Sequence, residues 1–181
     1  LWDLDAAQRR RMDAIDILLL TMADSIHVRE IFDRVSAVVR PVLSHDRMAL
    51  ITPCADGQRI RIEAVSGGPI PDLPHTLPVH EQVLNPELEY ELYSDVDVVA
   101  PADSETLRLA RKLNIRSVLR IPLRMETGEL GALIFISQTP GMYQPEDVLI
   151  ARRVADHVSL ALSHQRLAEE ARRLVEERQR A

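Results

Sequence analysis

The chain has 181 residues and a mass of 20.5 kDa, and its hydrophobic fraction of 46% excludes wholesale disorder. A formal net charge of −6 excludes a general attraction to nucleic acid. The apolar runs are far shorter than the roughly 20 residues of a membrane-spanning helix, and the acidic start is unlike a signal peptide. The single cysteine, Cys54, excludes a disulfide framework within the chain. We therefore expect a cytoplasmic protein without membrane or nucleic-acid contacts of its own.

Two helices are predicted at the start of the chain. In residues 1–24, apolar side chains recur at steps of three and four residues, which is typical of an amphipathic helix. Asp24 and Ser25 are both good N-cap residues, so a second helix should begin after them. That helix carries a broad stripe of valine, isoleucine and phenylalanine and should end near Pro41.

The pattern then changes to that of strands. Residues 48–52 form a short apolar run and residues 59–65 alternate strictly, while Asp56-Gly57 between them indicates a hairpin turn. A second hairpin is predicted from strands 117–123 and 130–137, joined by a turn at 126–129. The last helix should begin near Pro145 and Glu146 and continue to the final residue.

The segment from Ser66 to Glu105 differs from its flanks. It contains nine acidic residues, no Lys or Arg, and six of the eleven prolines. This composition predicts loops around short elements, namely a strand within 89–96 and a helix capped by Asp103 or Ser104. The whole pattern predicts an α+β fold with a central antiparallel sheet and helices on one face.

Several motifs resemble those of GAF domains. Residues 115–123 resemble the Ser-x-x-x-x-Pro-Leu strand of that family, and Gly128-Glu129-Leu130-Gly131-Ala132-Leu133 resembles its Gly-x-x-Gly-x-Leu strand. Residues 143–147 and 154–162 resemble the entry into its last helix. The resemblance runs in order from about Ser25 to Leu167. It implies a sheet with terminal helices on one face and a pocket, covered by loops or a helix, on the other.

Residues 161–171 are similar to the helix that leaves the GAF domain of sigma-54-dependent transcription activators. This resemblance implies a bacterial, non-enzymatic sensory domain that controls a downstream effector domain of the same polypeptide. The expected organisation is an N-terminal helix for dimerisation or linkage (1–24), a GAF domain (25–165) and the start of a signalling helix (166–181). The sensor domain of a histidine kinase, or a dimerisation module with a vestigial pocket, remain alternatives.

GAF domains that bind cyclic nucleotides or bilins, or that reduce sulfoxides, have sequence features that this chain does not match. Against the cyclic-nucleotide pattern, Ser137-Gln138 stands near the expected Asn-Lys, Tyr143 replaces Phe, and Val148 follows Asp147. Cys54 has no adjacent His, which argues against a covalent bilin. Thiol-based sulfoxide reduction needs a second cysteine. We therefore expect no cofactor and an unidentified small-molecule ligand.

Pocket residues are predicted mainly on strands and in the acidic segment. Arg120 lies in the middle of an apolar strand, so it should pair with an acid or meet a carboxylate ligand. If the acidic segment covers the pocket, it should disfavour anionic ligands and favour neutral or cationic ones, or a basic partner surface. The alternative is a soluble charged loop with no role in binding. His75 and His80 have a spacing that does not suit a helical metal site, so we expect no metal. The sequence supports no nucleophile–base pair, so we expect no catalytic residue. The pocket candidates are Met48, Leu50, His75, His80, Tyr90, Tyr93 and Arg120.

The terminal helices predict a homodimer. Leu160, Leu167 and Leu174 recur every seven residues, as in a coiled-coil seam. The first helix adds more apolar surface than a lone helix should expose. A two-fold pairing would bury both sets, whereas the alternative is a monomer with a frayed tail. The interface candidates are Leu4, Met12, Ile15, Leu19, Met22, Leu160 and Leu167.

Overall fold

A computed structural model describes residues 2–20, 27–79, 89–96, 104–124 and 130–181, with side chains from residue 6 onward and not for 18–20. Within these residues the chain forms four α-helices and six strands. Their bounds, in chain order, are α1 (Trp2–Leu20), α2 (Val28–Val39), β1 (Arg47–Pro53), β2 (Arg59–Val65), β3 (Thr76–Pro78), β4 (Glu91–Tyr93), α3 (Glu105–Lys112), β5 (Ser117–Arg124), β6 (Leu130–Ser137) and α4 (Val148–Arg180). The strands form one antiparallel sheet in the order β3-β2-β1-β6-β5-β4. The predicted α+β fold is confirmed.

The two faces of the sheet bury different sets of side chains. Helices α1, α2 and α4 cover one face, where the main core contains residues such as Phe32, Leu50, Leu119, Phe135 and Val154. The other face carries a smaller cluster under α3 and the adjoining loops. Because the central strands are covered on both faces, they are apolar on both faces and show little alternation.

Helix starts depend on different hydrogen-bond acceptors. The hydroxyl of Ser104 accepts a hydrogen bond from the Leu107 N–H at 3.0 Å, so Ser104 caps α3, one of the two caps predicted for it. Helix α2 begins after His27, whose side chain makes no capping bond. Its Val28 N–H instead donates to the side chain of Gln165 on α4. Asp24 and Ser25, the predicted caps, lie outside the described residues.

The first hairpin requires a glycine. Gly57 has φ +69°, a left-handed conformation that suits glycine, and this part of the prediction is confirmed. The turn spans Cys54 to Gly57, because the Gly57 N–H donates to the carbonyl of Cys54 at 3.1 Å. The hairpin prediction assumed that Asp56 and Gly57 are the two central residues of the turn. The central residues are instead Ala55 and Asp56. The turn predicted at 126–129 lies outside the described residues.

A β-bulge reverses the alternation of β2. Leu50 pairs with Ala64 but Ile51 pairs with Ile62, so Glu63 is an extra residue in this strand. As a result, Ala64 joins the core under the helices, while Ile62 and Val65 both pack on the other face. The strict alternation read from the sequence does not place these side chains correctly.

The predicted dimer residues have different environments. Ile15 is only 2% exposed and belongs to the core, and Met12 packs against that core. We therefore withdraw both as free interface residues, since their contacts lie within this chain. Leu160 and Leu167 are 46% and 57% exposed. Leu4 and Leu19 have no described side chain, and Met22 lies outside the described residues.

None of the described helices is long and apolar enough to span a membrane.

Candidate functional site

A cavity of about 190 Å³ lies on the sheet face opposite α1, α2 and α4. The sheet provides its floor, and α3 and the loop that follows β2 cover it. Most of its lining is aliphatic. The lining residues are Arg47, Ala49, Ile51, Ile62, Val65, Ile70, Leu73, Leu77, Tyr93, Val96, Thr106, Leu109, Ala110, Leu113, Ile115, Val118, Arg120, Ile134 and Ile136.

Polar contacts hold the cover of the cavity on the sheet. Arg59 on β2 forms an ion pair with Glu105 at the start of α3, with 3.2 Å between Nη2 and Oε2. At the other end of α3, the Lys112 ammonium donates to the carbonyl of Pro71 at 2.8 Å. Helix α3 is amphipathic and turns Leu107 and Ala110 inward. These contacts anchor both ends of α3.

A buried ion pair lies at one side of the cavity. Glu91 and Arg120 are directly opposite each other on β4 and β5, so their side chains share the cavity face of the sheet. The Arg120 Nη1 atom lies 3.4 Å from Glu91 Oε2, and both side chains are buried. Glu91 is thus an acidic partner of Arg120 from the middle segment, which is one of the two alternatives expected from the sequence. Its Oε1 atom is buried without a hydrogen-bond partner among the described residues.

Tyr93 completes this cluster. Its hydroxyl donates a hydrogen bond of 2.5 Å to Glu91 Oε2. Burial, and then the hydrogen bond to Glu91, raise the pKa of Tyr93 to about 12. The phenol therefore stays neutral at physiological pH. It fixes one oxygen of Glu91 while its ring lines the cavity.

Arg47 contributes a second positive charge to the lining. Its Nη1 atom donates to the carbonyls of Ser66, at 3.1 Å, and Gly68, at 2.9 Å. The loop approaches this side chain closely, because a Cβ atom on Gly67 would lie 2.9 Å from Arg47 Cγ. Gly67 also has a φ of +93°, so glycine is required there on both grounds. The guanidinium is thus held by backbone carbonyls of the loop that follows β2.

The charged side chains of the described lining are basic. The part of the lining that the structure describes contains two arginines and no Asp or Glu. Of the described acids in the segment 66–105, Asp95 pairs with Arg116 at 2.8 Å, Glu105 pairs with Arg59, and Glu91 pairs with Arg120. None of the described acids lines this cavity, and four acids of the predicted cover, Glu81, Glu87, Asp97 and Asp103, lie outside the described residues. The three described pairs use arginines on the strands and on the loop before β5.

The structure brings together only part of the predicted pocket. Tyr93 and Arg120 line the cavity. Met48, Leu50 and Tyr90 pack in or against the core under the helices, so we no longer assign them to the pocket. His75 is exposed and does not line the cavity, and His80 lies outside the described residues. No three His, Cys, Asp or Glu side chains in the described ranges are placed to hold a metal ion.

Several lining residues were not predicted from the sequence, although β5 carried a signal for its own lining residues. Val118 and Arg120 alternate with Leu119 and Ile121 on β5, so the charge of Arg120 marked its face of that strand. On β6, Ile134 pairs with Arg120 and Ile136 pairs with Val118, so these two side chains share the cavity face of the sheet. Arg47 and the residues of α3 had no such signal, because their contacts with the cavity are not local in sequence.

Comparison with known proteins identifies the family. The family model of the GAF domain matches residues 27–162, and the chain belongs to this family. A search of curated proteins found no match. The structure is similar to the GAF domain of a phosphoenolpyruvate-protein phosphotransferase from Coxiella burnetii, with a TM-score of 0.69, 16% identity, and coverage of 90% of this chain and 98% of that chain.

Two further solved structures show the same fold. One is a free methionine-R-sulfoxide reductase from Neisseria meningitidis in complex with its substrate, with a TM-score of 0.68, 16% identity, and coverage of 90% and 93% of the two chains. The other is the phycoerythrobilin-bound GAF domain of a cyanobacterial phytochrome, with a TM-score of 0.62, 14% identity, and coverage of 91% and 99%. At these identities the likeness establishes the fold alone.

Proposed function

We propose that this chain is a sensory, ligand-binding GAF domain of a bacterial signal-transduction protein, acting in the cytoplasm. Binding of a small molecule in the cavity would control an effector domain of the same polypeptide through the terminal helices. The observation that carries this proposal is the apolar cavity, with its buried ion pair, on the face of the sheet opposite the helices. Apolar concave sites with a few polar groups are typical ligand sites.

The lining favours binding over catalysis. Among the described lining residues, Tyr93 and Thr106 carry the only hydroxyl groups, and there is no Cys, His, Ser or carboxylate. A nucleophile therefore has no adjacent base among the described lining residues. Cys54 lies at the first hairpin, outside the lining, and is the one cysteine of this chain. The domain would act as a switch and not as an enzyme.

Arg152 offers a physical route from the cavity to α4. Its guanidinium donates hydrogen bonds to the backbone carbonyls of Pro122, at 3.1 Å, and of Glu89. Pro122 follows Arg120 by two residues on β5, and Glu89 precedes Glu91 by two residues. A ligand that moves the Glu91–Arg120 pair would therefore alter the hydrogen bonds that position α4. Any such shift would pass along the helix to its C-terminal half.

The resemblance of residues 161–171 to sigma-54-dependent activators supports a transcription regulator as the parent protein. A sensor histidine kinase is the second candidate. The two differ in the segment that follows this domain, which would be an ATPase with a Gly-x-x-x-x-Gly-Lys loop in the first case and a kinase in the second. Sequencing the gene beyond this domain distinguishes them.

We also propose that the domain is a homodimer joined through α4. At about 100° per residue, Leu149, Leu160, Leu167 and Leu174 fall on one stripe. They are all exposed, between 46% and 57%, and lie opposite the buried side of the helix. The spacing of seven residues suits pairing with the same stripe of a second copy. If the cavity binds no ligand, this exposed leucine stripe favours the alternative function, a dimerisation module with a vestigial pocket.

Ligand extraction tests the sensory function. Freshly purified protein should release a small molecule that mass spectrometry detects. Ala110→Leu should abolish its retention, because Ala110 on α3 lines the cavity and three added carbons would fill it. Ala37→Leu, on the exposed side of α2, should retain the molecule. A molecule that Ala110→Leu retains equally, or no molecule at all, would contradict the proposal.

A further inference from the structure

We infer that the cavity takes a compact, largely apolar molecule about the size of one substituted ring, bound between the sheet and α3 and recognised by its hydrocarbon body. This inference rests on the proposed sensory function and specifies the ligand of the same cavity.

The floor of the cavity is aliphatic across four adjoining strands. On β1, Ala49 pairs with Val65 of β2 on one side and with Ile134 of β6 on the other. Ile136 of β6 pairs with Val118 of β5. All five side chains line the cavity, and the side chains of paired residues adjoin on the same face of a sheet. A ligand that lies on this floor therefore rests mainly on hydrocarbon.

The roof of the cavity is aliphatic as well. Helix α3 and its C-cap contribute Leu109, Ala110 and Leu113, and the loop that follows β2 contributes Ile70 and Leu73. Because the floor and the roof face each other, the body of a ligand between them contacts carbon on two sides. Such contacts favour an apolar body, since the transfer of apolar surface from water into an apolar site is favourable.

The polar side chains of the described lining already interact within the protein. Arg47 donates to two backbone carbonyls of the loop, and Tyr93 donates to Glu91. Arg120 pairs with Glu91 and has a further interaction, and Thr106 also has an interaction partner. An apolar ligand leaves all of these contacts in place and needs no polar partner of its own. We therefore assign recognition to the aliphatic walls.

The size of the cavity limits the ligand to about one ring. A cavity of about 150 Å³ with apolar walls stays free of water and accommodates benzene in a well-studied engineered case. The cavity of this protein, at about 190 Å³, would fit one ring with a small substituent. Drug-sized ligands and cofactors usually occupy about 300 Å³ or more.

A series of hydrocarbons tests the size and the apolar character of the ligand. Benzene, toluene and ethylbenzene are titrated calorimetrically into the ligand-free chain. Affinity should rise about fourfold with each added carbon, because each one removes further apolar surface from water. Biphenyl should bind more weakly than ethylbenzene, since two rings exceed the space that fits one ring with a small substituent. An affinity that does not rise along the series, or tighter binding of biphenyl, would overturn the inference.

Phenol is the matched polar probe, because its hydroxyl replaces the methyl group of toluene at nearly the same size. We expect toluene to bind about tenfold more tightly than phenol, since the hydroxyl loses its hydration in the cavity. At neutral pH, benzoate and benzylamine carry opposite charges, and both should also bind more weakly than toluene. Equal or tighter binding of any of these three polar probes would mean that a polar group directs recognition, and the apolar class would be wrong.

An isosteric pair of variants tests the position of the ring. Val118→Thr places a hydroxyl in the floor at nearly unchanged side-chain size, so toluene affinity should fall about fivefold. Val38→Thr makes the same change against the core on the other face of the sheet and should leave toluene affinity unchanged. If Val118→Thr does not fold, Val65→Thr makes the same test on β2. Equal toluene affinity in the floor variant and in Val38→Thr would overturn the placement.

The Ala110→Leu variant separates the two levels of failure. If a polar probe binds best and Ala110→Leu abolishes that binding, the cavity is a ligand site and only the apolar class is wrong. If the chain releases no extracted molecule and no probe binds in a manner sensitive to Ala110→Leu, the sensory function fails together with the inference.

Discussion

The side-chain oxygen of Gln165 on α4 accepts a hydrogen bond from the backbone N–H of Val28 at 2.8 Å. This contact supplies the N-cap that α2 lacks, because His27 makes no side-chain capping bond. We expect Gln165→Ala to lower the free energy of unfolding by about 1 kcal/mol, the usual cost of losing a cap. Urea denaturation measures it. Gln179→Ala, at an exposed position on the same helix, is the control, and an equal effect of both substitutions would contradict the assignment.

The Glu91–Arg120 pair should be important for stability when only one partner is removed. Arg120→Met leaves a buried carboxylate without its cation and should lower the free energy of unfolding by about 3 kcal/mol. Removing the second charge with Glu91→Gln should recover most of that loss. Urea denaturation of both variants checks the expectation. If Arg120→Met alone is as stable as the original chain, the ion pair does not contribute to the free energy of unfolding.

The first hairpin depends on the left-handed conformation of Gly57. Gly57→Val should cost about 1 kcal/mol or more, because a β-branched residue is strained at φ +69° even though no atom obstructs its Cβ. Thermal unfolding measures the loss. Gln58→Val, at the next exposed position of the loop, should have a smaller effect. An unchanged melting temperature for Gly57→Val would count against the turn.

A buried histidine predicts a dependence of stability on pH. His45 is 5% exposed and lies between Ser36 and Leu43, with its Nε2 atom 2.7 Å from the Ser36 hydroxyl and its Nδ1 atom 2.7 Å from the Leu43 carbonyl. A carbonyl only accepts, so Nδ1 carries the proton and the neutral ring accepts from Ser36. Burial lowers the pKa of His45 below its ordinary value of 6.5.

The sign of the pH effect follows from this shift. As the pH falls below 6.5, the unfolded chain binds a proton at His45 before the folded chain does, so the free energy of unfolding decreases until the lower folded pKa is reached. His45→Gln should remove this part of the slope below pH 6.5, and His75→Gln, at an exposed site, is the control substitution. Urea titrations at several pH values measure the slope, and identical slopes for all three proteins would disprove the role of His45.

The proposed dimer predicts a specific response to charge on α4. Light scattering should give about twice the chain mass of 20.5 kDa, and Leu160→Glu with Leu167→Glu should reduce it to the monomer value. Val175→Glu is the control, since Val175 is 54% exposed but lies about 100° around the helix from Leu174. A mass near 20.5 kDa at every concentration would contradict the dimer.

The sequence by itself determined those elements that depend on local pattern. The alternation of residues 59–65 corresponds to β2, and the strand predicted at 130–137 corresponds to β6. Ser104 caps α3 because a hydroxyl acts on an N–H three residues away. The charge of Arg120 in an apolar strand predicted either an acidic partner or a carboxylate ligand, and the nine acids of the middle segment left the identity of that partner open. Each of these inferences involves residues close together in the chain.

Tertiary structure decided which side chains meet. β1 is buried on both faces, so its sequence does not distinguish Met48 and Leu50, under the helices, from Ala49 and Ile51, at the cavity. The short strand β3 lies in a proline-rich segment whose composition predicts loops, so it was not predicted. The bulge at Glu63 is defined only by the pairing of β2 with β1. The choice of Glu91 for Arg120, like that of Gln165 for α2, depends on strand register and helix packing across distant parts of the chain. Periodicity carries no information on such contacts, because it describes one element at a time.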